Sequence, residues 1–195
     1  EMTLLHIYPA AKTGANYVIP DSVTNIGNWA FNGCNSLTNI TIPDSVTSIG
    51  QRAFRHCSSL RSITIPDSVT SIGRHAFSGC SSLTAIEIPD TITRIETYAF
   101  DDCSSLTAVE IPDTVTSIGD GAFNSCTSLT SITIPDGVTS IGNGAFWDCS
   151  SLTSITFLGP APTVRVSTFF RVANGATAYV DAQFAESFGG FGSTW

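Results

Sequence analysis

The sequence is poor in charged residues, and basic residues are the scarcest of these. Charged residues make up 12% of the chain, and 8 Lys and Arg stand against 16 Asp and Glu, so the formal net charge is -8. Lys12 is the sole lysine. Binding to nucleic acid phosphates requires clustered Lys and Arg, so this composition argues against a nucleic acid partner.

The sequence also lacks long apolar segments and the short motifs of common enzymes. It contains no run of about 18 apolar residues, so we expect no membrane span. The patterns GxGxxG, GxxxxGKS, HExxH and GxSxG are absent as well. These patterns mark dinucleotide, phosphate, zinc-protease and serine-hydrolase sites. We therefore expect a protein that is not an enzyme and has no cofactor.

A repeat of fixed length dominates what the sequence does contain. A unit close to IPDSVTSIGxxAFxxCxSLTSIT occurs six times without insertion or deletion, and its copies begin at Ile19, Ile42, Ile65, Ile88, Ile111 and Ile134. The interval is 23 residues (42 − 19). A period of this length predicts a solenoid in which equivalent side chains stack in columns.

Each copy contains the pattern of one main strand. The segment from Leu83 to Ile88 fits the LxxLxL signature of leucine-rich repeats, with Leu and Ile pointing inward. Pro89 ends the strand because proline has no N–H for the ladder. A shorter extended segment at 69–72 and a tight helical turn through Ala76 and Phe77 should follow in the next part of the coil. We predict parallel strands near residues 38–42, 61–65, 84–88, 107–111, 130–134 and 153–157.

The phrases IPDSVTSIG, AFSGC and SSLTSITIP resemble the BspA-like, or Treponema pallidum-type, leucine-rich repeat family. The resemblance is strong over residues 14–156 and looser at both ends. We expect an α/β leucine-rich-repeat solenoid, right-handed, with parallel strands on a concave face. The expected organisation is a capping strand over 1–18, six repeats over 19–156, and a degenerate repeat with a cap over 157–195.

The same resemblance implies a function. It implies a non-catalytic recognition or adhesion module, secreted or on the cell surface of a bacterium or protist, that binds a protein or glycan. Two alternatives stay open at this point. One is an ice-binding solenoid with an ordered Ser-x-Thr array, and the other is a structural spacer within a larger surface protein.

We expect the binding face to be the outward side of the main strands. One outward column there is mostly threonine, with Glu87 and Glu110 in its middle. Short polar side chains on rigid strands are free to bind a ligand, although Ser and Thr also suit any solvated strand. The predicted contact residues are Arg61, Thr64, Glu87, Glu110 and Thr133.

Six cysteines occupy one column of the repeat. Parallel side chains on strands about 4.8 Å apart are too far from each other for a disulfide, which prefers β-carbons about 3.8 Å apart. A straight column also lacks the tetrahedral convergence of a zinc site. We therefore predict buried free thiols at Cys34, Cys57, Cys80, Cys103, Cys126 and Cys149.

Six aspartates form a second column, directly after the proline that ends each strand. An aspartate at this point is typical of an Asx-turn, in which its side chain accepts a hydrogen bond from the backbone two residues on. Calcium bound between successive aspartates is the alternative. The column consists of Asp21, Asp44, Asp67, Asp90, Asp113 and Asp136.

The histidines in the repeats, His56 and His75, fall at positions that differ from copy to copy. We interpret such positions as solvated surface without a shared structural role. In the alternative interpretation, these histidines join Arg52, Arg55, Arg61 and Arg74 in a basic patch for an acidic ligand.

The C-terminal tail is rich in aromatic residues. We predict that Tyr179, Phe184, Phe188 and Trp195 cover the apolar end of the last coil. Phe184 and Phe188 are one helical turn apart and follow Asp181, a suitable N-cap.

Overall fold

The structure, a computed structural model, describes residues 3–5, 15–165 and 167–188. Two series of strands alternate along the chain. The first series comprises β2 (Asn16–Val18), β4 (Asn39–Thr41), β6 (Ser62–Thr64), β8 (Ala85–Glu87), β10 (Ala108–Glu110), β12 (Ser131–Ile134), β14 (Ser154–Phe157) and β16 (Thr177–Val180). The second series comprises β1 (Thr3–Leu5), β3 (Val23–Ile26), β5 (Ser48–Ile49), β7 (Ser71–Ile72), β9 (Arg94–Ile95), β11 (Ser117–Ile118), β13 (Ser140–Ile141) and β15 (Thr163–Val164).

All strand pairs are parallel, and each strand pairs with its equivalent in the next coil, as Asn39 does with Ser62. The first series forms the sheets β2-β4-β6-β8-β10 and β12-β14-β16. The second series forms the sheets β1-β3-β5-β7 and β9-β11-β13-β15. The result is a β-solenoid of about 7 turns with a leucine-rich-repeat fold.

The six predicted main strands are confirmed, and so is the shorter extended segment before each turn. The α/β part of the predicted class is not confirmed. In the part of the chain that the structure describes, the one helix is a 3-10 helix at Ala182–Phe188. At the predicted helical turn, Ala76 N–H donates to Gly73 O and Cys80 N–H to Phe77 O, both at 3.1 Å, so it remains a chain of tight turns. Right-handedness stays a prediction.

The core consists of columns of identical side chains. The aromatic column runs parallel to the solenoid axis, with ring centroids 5.0 to 5.6 Å apart and planes within 11° of each other. Stacked aromatic pairs of this kind add about 0.5–1.5 kcal/mol beyond burial. The column consists of Phe31, Phe54, Phe77, Phe100, Phe123, Phe146 and Phe169.

A glycine column fixes how closely successive coils approach. A β-carbon added at Gly73 would lie 2.6 Å from the backbone nitrogen of Gln51 and 2.7 Å from the carbonyl carbon of Gly50. Gly50 has the same close contacts with the coil before it. Glycine therefore lets two backbones approach closely at this position, although Glu96 and Arg165 occupy it in two other coils. The repeat pattern alone did not reveal this close approach.

We expect Gly73→Ala to lower the free energy of unfolding by about 1–3 kcal/mol, the usual effect of overpacking. Gly137→Ala is the matched control, because its equivalents Ser68, Thr91 and Thr114 all carry a β-carbon. The nearest atom to the added β-carbon would be Asp113 O at 3.3 Å. Urea unfolding of both variants measures the difference. Equal stability of the two variants would contradict the close approach of backbones at Gly73.

The C-terminal tail only partly matches its prediction. Gln183 N–H donates to Asp181 Oδ1 at 2.9 Å, which confirms Asp181 as a cap. Phe184 is partly buried against the core, and Phe188 meets the ring of Phe157 with centroids 5.0 Å apart. Tyr179 does not cover the core: its side chain is 54% exposed, because its position in β16 aligns with the outward Thr156. Trp195 lies outside the described residues.

None of the helices in the described residues is long and apolar enough to cross a membrane.

Candidate functional site

The outward side of the first strand series, here called the strand face, carries the predicted contact residues. Within each strand the central residue is buried and its neighbours point to solvent, as in Ala85–Glu87. Thr64, Glu87 and Glu110 follow one another in register and are exposed. Arg61 is exposed just before β6, and Thr133 is exposed on β12. The five residues therefore lie on one face.

The strand face is not uniform along its length. β6 pairs with β8 at Thr64 and Glu87, whereas β12 and β14 pair over four positions. In the described residues the sheet ends at β10, and β12 begins the next sheet. Glu87 and Glu110 thus lie on the last two strands of the longer sheet. The sequence repeat gave no sign of this interruption.

An acidic pocket of about 430 Å³ opens at the carboxyl ends of β8 and β10. Its walls include the side chains of Glu87 and Glu110 and the aspartates of the following turns, Asp90 and Asp113. Pro112 and Thr114 complete the turn side. Four carboxylates therefore surround a single open depression, which favours basic groups in whatever binds there.

A second, neutral pocket of about 390 Å³ lies on the same face over β2, β4 and β6. Asn16, Asn39 and Ser62 line it as one column, and Thr41 and Thr64 line it as another. Ser62 Oγ donates to Asn39 Oδ1 at 3.2 Å, which orients the amide. Thr64 borders this pocket and pairs directly with Glu87 of the acidic pocket, so the two pockets are adjacent.

Many hydroxyl groups beside the strand face are used by the backbone. Thr84 Oγ1 donates to Arg61 O at 3.4 Å, and Thr107 Oγ1 donates to Thr84 O at 3.3 Å. Thr38 and Thr153 make the same kind of bond to the preceding coil. This threonine column therefore ties coils together, a role that the residue pattern did not distinguish from ligand binding.

The aspartate column lies in turns, but the turns close differently from the prediction. The backbone amide two residues after Asp67, that of Val69, donates to Pro66 O at 2.9 Å. The amides of Val23, Val46, Ile92, Val115 and Val138 bond in the same way. The predicted Asx-turn is therefore replaced by a backbone-closed turn, which leaves the aspartate side chains exposed. In the described residues, no group of three or more His, Cys, Asp or Glu is placed to hold a metal ion.

The six cysteines are buried free thiols, as predicted. Each of the last five donates its S–H to the carbonyl of a phenylalanine in the preceding coil, at 3.1 to 3.3 Å. Burial raises the pKa of Cys80 to about 12, and also that of Cys149 to about 12. Burial raises the pKa of Cys103 and Cys126 well above that of a free thiol. These buried thiols form part of the packed core.

The histidine positions do share a structural role, so that part of our interpretation is wrong. His75 belongs to a row in which every coil has a left-handed backbone, with φ between 55° and 65°. His56 belongs to a second such row four residues later. The first row consists of Trp29, Arg52, His75, Tyr98, Gly121, Gly144 and Ser167. His56 is exposed, whereas His75 is half-buried and stacks on Tyr98 with ring centroids 4.9 Å apart.

The repeat sequence itself decides the family. The model of the BspA type leucine rich repeat region matches six copies, over residues 12–90 and 70–184. The chain belongs to the BspA-type leucine-rich repeat family. Repeats of this family are generally protein-interaction or surface modules and are generally not catalytic. Among curated proteins, none matches the sequence.

Solved leucine-rich repeat structures resemble this BspA-type chain. A leucine-rich repeat protein from Eubacterium ventriosum is 29% identical with a TM-score of 0.72, and the match covers 91% of this chain and 46% of that one. One from Bacteroides ovatus is 27% identical with a TM-score of 0.53, covering 90% and 64%. The T. pallidum leucine rich repeat protein is 25% identical with a TM-score of 0.55, covering 98% and 88%. The BspA-type chain thus spans less than two thirds of the first two structures.

Proposed function

We propose that this BspA-type chain is a non-catalytic recognition module, secreted or displayed on the cell surface of a bacterium or protist, that binds a protein or glycan through its strand face. The observation that carries the proposal is the pair Glu87 and Glu110. These exposed carboxylates are in register on adjacent strands and line one pocket with Asp90 and Asp113.

The fold does not require these two acids. Equivalent positions in the flanking coils are Thr41, Thr64 and Thr133, which occupy the same column in the same kind of strand. Two like charges one strand apart repel each other by about 1 kcal/mol or less at an exposed site. Because Glu87 and Glu110 do not stabilise the fold, we attribute them to ligand binding.

The strand face is also suited to binding because it is rigid. Its side chains stand on short strands whose central residues, such as Ile63 and Ile86, are buried in the core. Presenting side chains from such a frame keeps the loss of conformational entropy on binding small. The neutral pocket offers amide and hydroxyl groups to a glycan or a peptide backbone, and the acidic pocket attracts a basic part of the partner.

The same pair of acids argues against an ice-binding surface. Such a surface needs an uninterrupted array of threonines, whereas Glu87 and Glu110 interrupt the column in its middle and Tyr179 continues it past Thr156. Ligand recognition benefits from such departures. We therefore prefer recognition to ice binding.

The double variant Glu87→Thr, Glu110→Thr should keep or slightly raise the free energy of unfolding and weaken ligand binding by about tenfold or more. The expected size follows from losing charge-assisted hydrogen bonds of about 1.5–3 kcal/mol, where 1.4 kcal/mol is a factor of ten. Binding is measured by biolayer interferometry against immobilised extracellular-matrix proteins and glycans, with urea unfolding as the stability readout.

The matched control is Asp21→Asn, Asp44→Asn, which removes two exposed negative charges outside the acidic pocket. It should leave binding nearly unchanged. If a ligand is found and the Glu87→Thr, Glu110→Thr variant binds it with unchanged affinity, the strand-face assignment is wrong. If no protein or glycan of the panel binds, a spacer role becomes the better explanation.

A further inference from the structure

The most unusual surface outside the strand face is a cluster of arginines and aromatic rings. Five of the 8 Lys and Arg residues lie between residues 52 and 94 of a chain whose net charge is -8. Three of them gather beside a half-buried histidine. We call this surface the arginine corner and define it as Trp29, Arg52, Arg55, Arg74, His75 and Tyr98.

The backbone of this corner does not favour the side chains that it carries. Trp29, Arg52, His75 and Tyr98 have φ between 55° and 64°, the left-handed region that L-residues other than Asn and Asp seldom occupy. Later coils fill the same row with Gly121 and Gly144. The fold therefore needs no side chain at this position, and residues kept in an uncommon conformation point to a function.

The flat groups of the row are stacked along the solenoid axis. Arg52 Cζ lies 4.5 Å from the centroid of the Trp29 ring, a cation–π contact. The rings of His75 and Tyr98 stack with centroids 4.9 Å apart and planes 11° apart. The Tyr98 ring also lies against Gly121, where a β-carbon would collide with it. These contacts hold the row in place before any ligand arrives.

Positive charge concentrates at the middle of the row. Burial lowers the pKa of His75, and the charges of Arg52, Arg55 and Arg74 lower it further, against an opposing effect of Asp101. Asp101 keeps its negative charge, because the donors of its hydrogen bonds, Ser78 Oγ at 3.1 Å and Asn124 Nδ2 at 2.7 Å, are neutral. Together with Glu96, which pairs with Arg74, it offsets two of the three arginine charges. The positive charge of the corner is therefore only partly balanced.

Two of the three arginines are available to a ligand. Arg74 pairs with Glu96 at 3.7 Å. Within the described chain, Arg52 and Arg55 form no ion pair, and the enclosed Nε of Arg55 has no hydrogen-bond partner. A planar guanidinium is suited to the two oxygens of a carboxylate or sulfate group.

We propose that the arginine corner binds an anionic saccharide through its sulfate or carboxylate groups. Arg52 and Arg55 hold the anionic group, and the exposed rings of Trp29 and Tyr98, at 43% and 37% exposure, contact the apolar faces of the sugar rings. The acidic remainder of the protein repels long polyanions, so the site takes a short, locally charged ligand. This site is separate from the strand face.

The test uses isothermal titration calorimetry with four probes: a sulfated oligosaccharide, an unsulfated oligouronate, a neutral oligosaccharide of equal length, and a poly-glutamate peptide. The unaltered chain should bind one or both anionic saccharides and not the neutral one. Comparison of the first two probes shows whether sulfate or carboxylate is the natural group. If the chain binds the peptide but binds neither anionic saccharide, the saccharide assignment is wrong.

The decisive variant is Arg52→Gly, Arg55→Ser, because other coils carry Gly121 and Ser78 at these two positions. Glycine also relieves the left-handed backbone at residue 52, so the melting temperature should stay or rise. We expect affinity for the anionic saccharide to fall by at least about tenfold. The control Arg165→Ser, Arg171→Gly removes the same charge outside the corner and should change affinity less than about threefold.

Equal losses for the two variants would overturn the site, since they would show a response to net charge alone. Absence of binding by the unaltered chain to either anionic saccharide would also overturn it. The Glu87→Thr, Glu110→Thr variant should retain saccharide binding at the corner. That result separates failure of this proposal from failure of the strand-face proposal.

Discussion

Removal of residues 178–195 is expected to abolish cooperative unfolding and to cause aggregation. β16 pairs with β14 over four residues, so the deletion leaves one edge of β14 without most of its partner strand. An open strand edge is a template for pairing with another copy of the chain. The deletion also exposes Phe157, which is 3% exposed in the intact chain and contacts Phe188. Circular dichroism melting and size-exclusion chromatography measure both effects.

Two single variants test whether a tail aromatic residue stabilises the protein only when its ring is buried against the core. Phe188→Ala removes a ring that is 8% exposed and should lower the free energy of unfolding by about 3 kcal/mol. Tyr179→Ala removes a ring on the outer surface and should change it by about 0.5 kcal/mol or less. An unchanged melting profile after the deletion would show that the cap lies elsewhere in the chain.

The repeat made most of the fold predictable. Because each coil must place Leu83, Ile86 and Ile88, or their equivalents, against the same core, a fixed period determines which residues face inward. It also placed the cysteines in one buried column. The location of Glu87 and Glu110 on the outward side of adjacent strands followed from the same alternation.

Features that depend on contacts between coils were not predictable from one copy. The left-handed backbone at Trp29 and His75 was hidden because the same row also contains glycine and bulky residues. The threonine hydroxyls that bond to the preceding coil resemble free surface hydroxyls in the sequence. The aspartate turn was predicted with the wrong acceptor, since Pro66 O competes successfully for the amide of Val69.

Departures from the repeat indicate which parts of such a protein have a function of their own. A column of identical residues reports what every coil needs for folding. A residue that differs from its equivalents in other coils and does not stabilise the fold, such as Glu87 or Arg52, indicates a function located in that part of the solenoid. The acidic pocket and the arginine corner both contain such residues, and they carry charges of opposite sign.

The buried thiol column should make the protein unfold in moderately alkaline solution. The unfolded thiols ionise near their ordinary pKa of about 8.5. Burial raises the pKa of the folded thiols of Cys80 and Cys149 to about 12, and raises the pKa of Cys103 and Cys126 well above its ordinary value. Between these values the folded state holds more protons than the unfolded state, so stability is complete below about pH 8.5 and falls as the pH rises.

The expected slope is steep because the thiols act together. Each contributes a loss of about 1.4 kcal/mol per pH unit, so four thiols contribute about 5.5 kcal/mol per unit. A domain with a stability of about 5–15 kcal/mol should then unfold within about one to three pH units above 8.5. Urea unfolding at a series of pH values in the presence of a reductant measures this slope.

The double variant Cys103→Ala, Cys126→Ala tests the cause. It will be less stable at every pH because it leaves small cavities in the core, but this loss does not depend on pH. Above pH 9.5 its slope should be shallower than that of the unaltered chain by about 2.7 kcal/mol per pH unit, whereas below pH 8 the two stabilities should differ by a constant. Parallel curves across the whole alkaline range would show that groups other than these thiols cause the loss, and that the cysteine column is accessible to ionisation in the folded state.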